Sequence, residues 1–135
     1  MRFELVSPER RLASTDDATA VRIPGADGDM TAMADHAPTI TSLRPGILTV
    51  ETPSGEEKYA VTGGFAEIGE GVTVLAERSL AASDLTQETY DDWVTEAKTA
   101  RDEAAADAVD AAVKLLADMV AMGGEIGLNA NQANL

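Results

Sequence analysis

Apolar residues in the first half of the chain recur in short runs, separated by turn-forming residues about every 8 to 12 positions, which predicts an all-β sandwich or barrel. In Val72–Ala76 the apolar residues Val72, Val74 and Ala76 alternate with other residues and share one face of an extended strand. The pattern predicts about nine to ten strands. Nine can be delimited: Arg2–Ser7, Arg11–Ser14, Thr19–Pro24, Gly28–Met33, Thr39–Leu43, Ile47–Thr52, Glu57–Thr62, Phe65–Ile68 and Val72–Glu77.

Glycine-containing segments mark two of the predicted hairpin turns, at Pro53–Glu56 and Gly69–Gly71. Glycine favours such turns because it adopts positive φ angles without steric cost. Two other glycine pairs, in Gly25–Gly28 and at Gly63–Gly64, invite comparison with phosphate-binding loops. Neither is followed by Lys-Ser/Thr or opens a helical pattern, so both are interpreted as turns and close-packing sites.

The character of the chain changes near Ala81 to Asp84. All 5 prolines and both phenylalanines precede this point, whereas alanine-rich and acid-rich sequence without glycine follows as far as Gly123. We therefore predict a β-sandwich in residues 1–82, a helical hairpin in 83–125 and a flexible tail in 126–135. The predicted fold class is mainly β with an α appendage.

Apolar residues after the boundary follow the 3- and 4-residue spacings of amphipathic helices. Asp84 is the predicted N-cap of the first helix, with Gln87 in the capping-box position, and Gly123-Gly124 is the predicted end of the second. The segment Asp102–Asp107 holds no proline or glycine, so one long helix fits locally as well. A hairpin is favoured because a single long helix would expose both apolar stripes to water. The first stripe holds Leu85, Tyr90, Trp93, Val94 and Ala97, and the second holds Ala105, Ala108, Val109, Ala112, Val113, Leu116 and Val120.

Composition narrows the range of functions. The 24 acidic and 10 basic residues give a net charge of −14, which disfavours binding to nucleic acid or to anionic lipid headgroups. The absence of cysteine excludes disulfides, thiolate metal sites and a cysteine nucleophile. No apolar run approaches the roughly 18 to 20 residues that span a bilayer, and the first residues do not resemble a signal or transit peptide. These features favour the bacterial cytosolic side.

Candidate catalytic chemistry is sparse. His36 is the only histidine, so a His-based metal cluster is excluded and a Ser-His-Asp triad would need this residue. A loop histidine that hydrogen-bonds the backbone or a carboxylate such as Asp35 is the favoured interpretation. Asp27, Asp29 and Asp35 suggest a calcium loop, but Met30–Met33 supplies none of the later oxygen ligands, so a solvated acidic loop is favoured. We expect no catalytic, cofactor or metal site.

Three segments nevertheless form a specific pattern: GDMTAMADHAPTITSLRPGI from Gly28 to Ile47, VTGGFAEI from Val61 to Ile68, and VTVLAER from Val72 to Arg78. In order and spacing they resemble the amino-terminal domain of the F-type ATP synthase epsilon subunit, the bacterial counterpart of the mitochondrial delta subunit. That family carries a G-[ED]-x6-H-A-P loop, a later P-G and a G-G hairpin. The resemblance covers most of the first half of the chain.

The resemblance implies a non-catalytic central-stalk subunit of a proton-translocating ATP synthase, which clamps the gamma subunit to the c-ring and couples proton flow to ATP synthesis. It implies a peripheral position on the cytoplasmic face of the bacterial inner membrane, without a transmembrane segment. Pro38 and Pro45-Gly46 match the prolines of the motif, whereas Ala34-Asp35 stands where the family often has Pro-Gly. The implied interface with the c-ring or gamma comprises Asp29, Met30, Asp35, His36, Leu43 and Arg44, of which Met30, Leu43 and Arg44 are expected near the surface.

Relatives differ in whether the helical region inhibits ATP hydrolysis or binds ATP through an [IL]-D-x-x-R-A motif. After Leu85 this chain has neither the aspartate nor the Arg-Ala. Residues 83–135 contain 3 basic and 11 acidic residues, so contact with an acidic surface of the catalytic head would be repulsive. We expect at most weak inhibition. Tyr90 and Trp93 are interpreted as helical packing residues, with a partner interface as the alternative.

The competing hypothesis is a stand-alone β-sandwich that binds a small ligand or peptide, with the helices as a lid or a dimerisation hairpin. A soluble homodimer without membrane partners would favour it.

Overall fold

The computed structural model describes residues 1–130 and divides into a sandwich unit, Met1–Ser83, and a helical unit that begins at Asp84. The sandwich unit contains ten β-strands. They are β1 (Phe3–Ser7), β2 (Arg10–Thr15), β3 (Ala20–Gly25), β4 (Gly28–Ala32), β5 (Thr39–Leu43), β6 (Gly46–Thr52), β7 (Gly55–Val61), β8 (Gly64–Ile68), β9 (Val72–Ala76) and β10 (Ser79–Ala81).

The strands follow the order β10-β7-β6-β3-β5-β8-β9-β1-β2, and β4 pairs with β3. Strands β3 and β5 share only the pair Gly25↔Leu43, so the sheet turns a corner between them and forms two layers. All pairs are antiparallel except β1 with β9, which is parallel from Phe3↔Val72 to Val6↔Leu75. The predicted β-sandwich is therefore confirmed.

The two layers enclose one apolar core because alternate residues of each strand point inward. The predicted inward face of β9 is confirmed, since Val72, Val74 and Ala76 are all buried. The largest fully buried side chains in this core are Phe3, Leu5, Ile23, Leu48, Ile68, Val21, Val50, Val61 and Val74.

The tenth strand is absent from the nine predicted runs. Strand β10 holds only three residues, Ser79, Leu80 and Ala81, and pairs with Val61, Ala60 and Tyr59 of β7. Three residues are too few to show an alternating pattern, so this strand is set by pairing with its neighbour.

The helical unit consists of two 17-residue helices, α1 (Gln87–Glu103) and α2 (Val109–Glu125). The predicted cap of α1 is wrong: Asp84 lies in a preceding 3-10 turn, Ala82–Asp84, and Thr86 caps the helix. The Thr86 hydroxyl accepts a hydrogen bond from the Thr89 backbone N at 3.1 Å. This satisfies one of the free N–H groups at the helix start.

The predicted hairpin is confirmed, although its bend contains neither proline nor glycine. Ala104 leaves the helical conformation with a ψ of 138°, and a turn through Ala108 leads into α2. The helices approach closely where Gly123 of α2 lies against the ring of Tyr90 of α1. The Tyr90 hydroxyl donates a hydrogen bond to the Val120 carbonyl at 3.1 Å.

The end of α2 also differs from the prediction, because Gly123 and Gly124 lie inside the helix. Gly127, with a φ of 80°, ends it instead. The Leu128 N–H donates to the Gly123 carbonyl at 2.8 Å and the Gly127 N–H to the Gly124 carbonyl at 3.5 Å, the pattern of a Schellman motif.

The first residues of the predicted flexible tail, 126–135, are hydrogen-bonded to the helical hairpin. Ile126–Leu128 take part in the helix cap, and the Asn129 carbonyl accepts a hydrogen bond from the Gln87 side chain at 2.9 Å. This bond joins the end of the hairpin to the first residue of α1. The remainder of the predicted tail, 131–135, lies outside the described residues.

Candidate functional site

The hairpin of β3 and β4 carries the first candidate interface residue, Asp29. Its strands pair from Val21↔Ala32 to Gly25↔Gly28 and leave Ala26 and Asp27 as the turn. Asp29 is the second residue after this turn and pairs with Pro24, and 76% of its side chain is exposed. The Arg44 guanidinium donates from Nη2 to Asp29 Oδ1 at 2.5 Å. The structure thus brings together two predicted interface residues that are 15 positions apart in sequence.

The partly buried Arg44 also binds the backbone of the same hairpin. Its Nη1 donates to the Gly25 carbonyl at 2.6 Å, and its backbone N–H donates to the Pro24 carbonyl at 3.0 Å. The turn between β5 and β6 lies close against β3 here, because a Cβ added to Gly46 would lie only 2.5 Å from Pro24 Cβ. The β3–β4 hairpin and the turn between β5 and β6 are consequently joined at this end of the sandwich.

Two other candidate residues contribute to the core. The expected surface position of Leu43 is wrong, because its side chain is only 7% exposed and belongs to the core. It is the last residue of β5, and its position in the alternation of that strand points it inward. Met30 is half-buried and packs against the same core. Neither side chain is freely available to a partner.

Asp35 and His36 lie at the opposite end of β5 from Arg44. They precede Thr39, the first residue of this strand, whereas Arg44 follows Leu43, the last. Four residue steps of extended chain separate the two ends by about 13 Å. The six candidate residues therefore do not form one site.

His36 confirms the favoured interpretation of a loop histidine bound to the backbone. Its Nδ1 lies 2.7 Å from the Ala37 carbonyl, so this nitrogen carries the proton and donates. Asp35 has a φ of 62°, the left-handed conformation that aspartate tolerates in tight turns. Both residues shape the loop.

An apolar surface that was not predicted from the sequence lies on the outer face of the layer formed by β5, β8, β9 and β1. We define the outer patch as Val6, Ile40, Phe65 and Leu75. Phe65 lies directly opposite Leu75, which in turn lies opposite Val6, and Ile40 is a diagonal neighbour of Phe65. The exposed fractions of Ile40, Phe65 and Leu75 are 72%, 56% and 50%.

The outer patch borders a shallow groove of about 350 Å³ lined by Val6–Pro8, Gly64-Phe65 and Leu75–Glu77. It also adjoins the β3–β4 hairpin through Ser42, which pairs with Phe65 while its carbonyl accepts from the Ala26 N–H at 2.8 Å. An apolar surface that continues into a polar hairpin has the composition of a protein-binding surface. Alternation in β8 and β9 was the available signal, because Leu75 lies between the buried Val74 and Ala76, and Phe65 precedes the buried Ala66.

A second groove, of about 600 Å³, is lined by Glu56–Tyr59 and Ala81–Ser83. The Tyr59 hydroxyl donates to Glu57 Oε2 at 2.7 Å. Burial, followed by this hydrogen bond and the charge of Glu57, raises the pKa of Tyr59 to about 12. The phenol therefore stays protonated and serves as a structural donor, with its ring stacked on Phe3.

Tyr90 and Trp93 are buried, with exposed fractions of 0% and 6%. Burial and the nearby charge of Asp91 raise the pKa of Tyr90, so its hydroxyl remains the donor to Val120. Tyr90 is a packing residue of the hairpin. Neither aromatic side chain is presented as an exposed binding residue.

Within residues 1–130, no group of three or more histidine, aspartate or glutamate side chains is placed to hold a metal ion. In the same part of the chain, neither helix is long and apolar enough to cross a membrane.

The matching family model and the similar proteins all indicate the same family. Residues 1–82 match the family described as ATP synthase, Delta/Epsilon chain, beta-sandwich domain. The chain is 57% identical over 129 residues to the ATP synthase epsilon chain of Rhodobacter capsulatus, covering 95% of this chain and 97% of that protein. It is 51% identical over 142 residues to the epsilon chain of Paracoccus denitrificans (strain Pd 1222), covering 99% and 95%.

Solved structures share the fold. A chain of the Euglena gracilis mitochondrial ATP synthase, in a structure described as OSCP/F1/c-ring in rotational state 1, matches with a TM-score of 0.65 and 21% identity. The match covers 86% of this chain and 74% of that one. A chain from the central stalk/c-ring structure of the Tetrahymena thermophila mitochondrial ATP synthase matches with a TM-score of 0.52 and 16% identity, covering 62% and 68%.

Proposed function

Because this chain belongs to the ATP synthase epsilon chain family, we propose that it is a non-catalytic central-stalk subunit of a proton-translocating F-type ATP synthase. In this role it holds the gamma subunit and the c-ring together, so that rotation of the ring is transmitted to the catalytic head and proton flow is coupled to ATP synthesis. It is peripheral to the membrane, on the cytoplasmic face of the bacterial inner membrane.

The outer patch is the observation that carries the proposed docking role. Three large apolar side chains that are half or more exposed lie together on a rigid β-layer, where water contact is unfavourable until a partner covers them. We assign this surface to gamma, because a permanent rotor contact requires apolar burial of this kind. Cross-strand pairing keeps Phe65 and Leu75 in fixed positions, so little conformational entropy is lost on docking.

The β3–β4 hairpin is assigned to the c-ring. Its exposed Asp29 and its backbone, which is joined to the turn between β5 and β6, offer a polar, rigid surface suited to polar loops. Since Ser42 connects this hairpin to the outer patch, the same layer contacts gamma with one region and the ring with the next. Torque then passes through hydrogen-bonded strands, which deform little.

The docking assignment predicts that Phe65→Ser combined with Leu75→Ser weakens binding to a gamma-containing catalytic core by about 100-fold or more. Interface anchors commonly contribute about 2 kcal/mol each, and each 1.4 kcal/mol is a tenfold change. Binding is measured by titrating labelled variants into core complex depleted of this subunit. Both side chains are exposed, so circular dichroism should show an unchanged fold.

Val113→Ser is the matched control, because Val113 is also an exposed apolar residue, at 47%, but lies on α2. It should bind like the unmodified chain. Binding of the folded double variant within twofold of the unmodified chain would remove the outer patch from the interface. A homodimer that purifies without gamma or membranes would instead support a stand-alone binding sandwich.

We expect the helical unit to inhibit ATP hydrolysis weakly, so that deletion of 83–135 raises the hydrolysis rate of the assembled enzyme by less than about twofold. The 11 acidic and 3 basic residues of this segment give it a strong negative charge, which opposes contact with an acidic partner. Hydrolysis is assayed together with the amount of truncated subunit retained in the complex. A several-fold rise at full retention would show that the helical unit is a strong inhibitor.

A further inference from the structure

Arg44 and Asp29 differ in how firmly each is held. Arg44 has 23% of its side chain exposed and is bound to the Gly25 carbonyl as well as to Asp29. Asp29 has 76% of its side chain exposed, and among the contacts within residues 1–130 its only side-chain partner is Arg44. The anchored guanidinium therefore sets the direction of the exposed carboxylate, and the reverse does not hold.

Close backbone packing fixes the position from which Arg44 reaches Asp29. The Arg44 N–H binds the Pro24 carbonyl, and the glycine next to Pro24 leaves no room for a side chain, since a Cβ at Gly25 would lie 2.6 Å from the Gly28 carbonyl oxygen. The Cα of residue 44 thus has a defined distance to the turn of β3 and β4. A long arginine side chain spans this distance and forms two directed bonds at its end.

We propose that Arg44 is a positioning residue for the ring contact. It holds Asp29 Oδ1 so that Oδ2 faces outward as an acceptor for a hydrogen-bond donor on the polar loops of the c-ring. This inference rests on the proposed function and assigns to Arg44 a role behind the interface, whereas Asp29 makes the contact. A carboxylate held in one orientation binds a donor with less loss of entropy than one that rotates freely.

The role is tested by a double-mutant cycle on ring attachment, with Arg44→Gln, Asp29→Asn and the two combined. The catalytic core carrying each variant is titrated onto membranes that contain the c-ring but lack the core. Each single variant is expected to weaken attachment by about threefold to tenfold, because the pair is partly exposed. The combined variant should be no weaker than Asp29→Asn alone, since Arg44 acts through Asp29.

Two further variants separate positioning from general stability. Arg44→Lys retains a cation within reach of Asp29 and should recover part of the lost attachment. Arg22→Gln removes a more exposed arginine of the sandwich, which pairs with Glu56 at 3.1 Å, and should leave attachment unchanged.

The outcomes distinguish a failure of the proposed function from a failure of the positioning role of Arg44. If the unmodified complex does not attach to ring-containing membranes any better than a core lacking this subunit, the proposed function itself is wrong. If the unmodified complex attaches but the two losses multiply in the combined variant, Arg44 acts independently of Asp29 and the positioning role is wrong. Equal losses from Arg22→Gln and Arg44→Gln would also overturn it.

Discussion

Gly64→Ala is expected to destabilise the sandwich unit by about 3 to 5 kcal/mol, a large part of the stability of a small domain. Gly64 has a φ of +114°, which costs an alanine about 1 to 3 kcal/mol of backbone strain. In addition, a Cβ at this position would overlap the Leu75 carbonyl oxygen in the adjacent strand. The strand pair can separate only by breaking hydrogen bonds next to the outer patch. Urea unfolding, followed by NMR signals of sandwich residues, measures the loss.

Gly55→Ala is the control for this collision. Gly55 has a similar φ of +132°, but no atom lies within 4 Å of its added Cβ. This variant should lose only the strain contribution, about 1 to 3 kcal/mol. If the two variants lose the same free energy of unfolding, close approach of β8 and β9 does not explain the requirement for Gly64.

Gly123→Ala is expected to destabilise the helical unit by about 2 to 4 kcal/mol, although alanine is the better helix former. Its methyl group would overlap the ring of Tyr90, which is fully buried and bonded through its hydroxyl to Val120. The ring must shift or the helices must separate, and both disrupt packing. Trp93, the only tryptophan, is buried in α1, so its fluorescence reports unfolding of this unit.

Gly124→Ala should instead stabilise the helical unit. An added Cβ at Gly124 has no neighbour within 4 Å, so the variant gains about 0.5 to 1 kcal/mol from helix propensity. Tyr90→Leu should lower the free energy of unfolding less in the Gly123→Ala variant than in the unmodified chain. In the variant, the smaller side chain at position 90 also relieves the overlap with the added methyl group. Destabilisation of similar size by both glycine substitutions would contradict a specific contact with Tyr90.

Local patterns in the sequence were sufficient to predict the two-layer sandwich and the helical pair. Alternation identified nine strands and the buried face of Val72, Val74 and Ala76. The errors at the helix ends arose where two nearby residues could fill the same role. Asp84 and Thr86 are both good caps, and glycine at 123 or 127 can end a helix. Gly123 is instead required by a tertiary contact with Tyr90.

The candidate site was less accessible to sequence reasoning because it depends on strand register. Asp29 and Arg44 were both named, but their ion pair arises from the approach of the β3–β4 hairpin to the turn after β5. Leu43 was expected at the surface although the alternation of β5 buries it. Phe65 and Leu75 become a patch only when the register between β8 and β9 places them side by side. Register is a non-local property, and a shift of one residue in the pairing moves every side chain of a strand to the opposite face of the sheet.

The parallel pair of β1 and β9 also determines when the molecule can fold. Phe3 pairs with Val72, which is 69 positions later, so the amino-terminal strand cannot gain this neighbour until most of the chain exists. At a synthesis rate of about 5 to 20 residues per second, that interval is about 3 to 14 s. During it, β1 has β2 as its local partner, and the remaining edge stays open. Because closing so long a loop is entropically unfavourable, we expect this pairing to form late in folding.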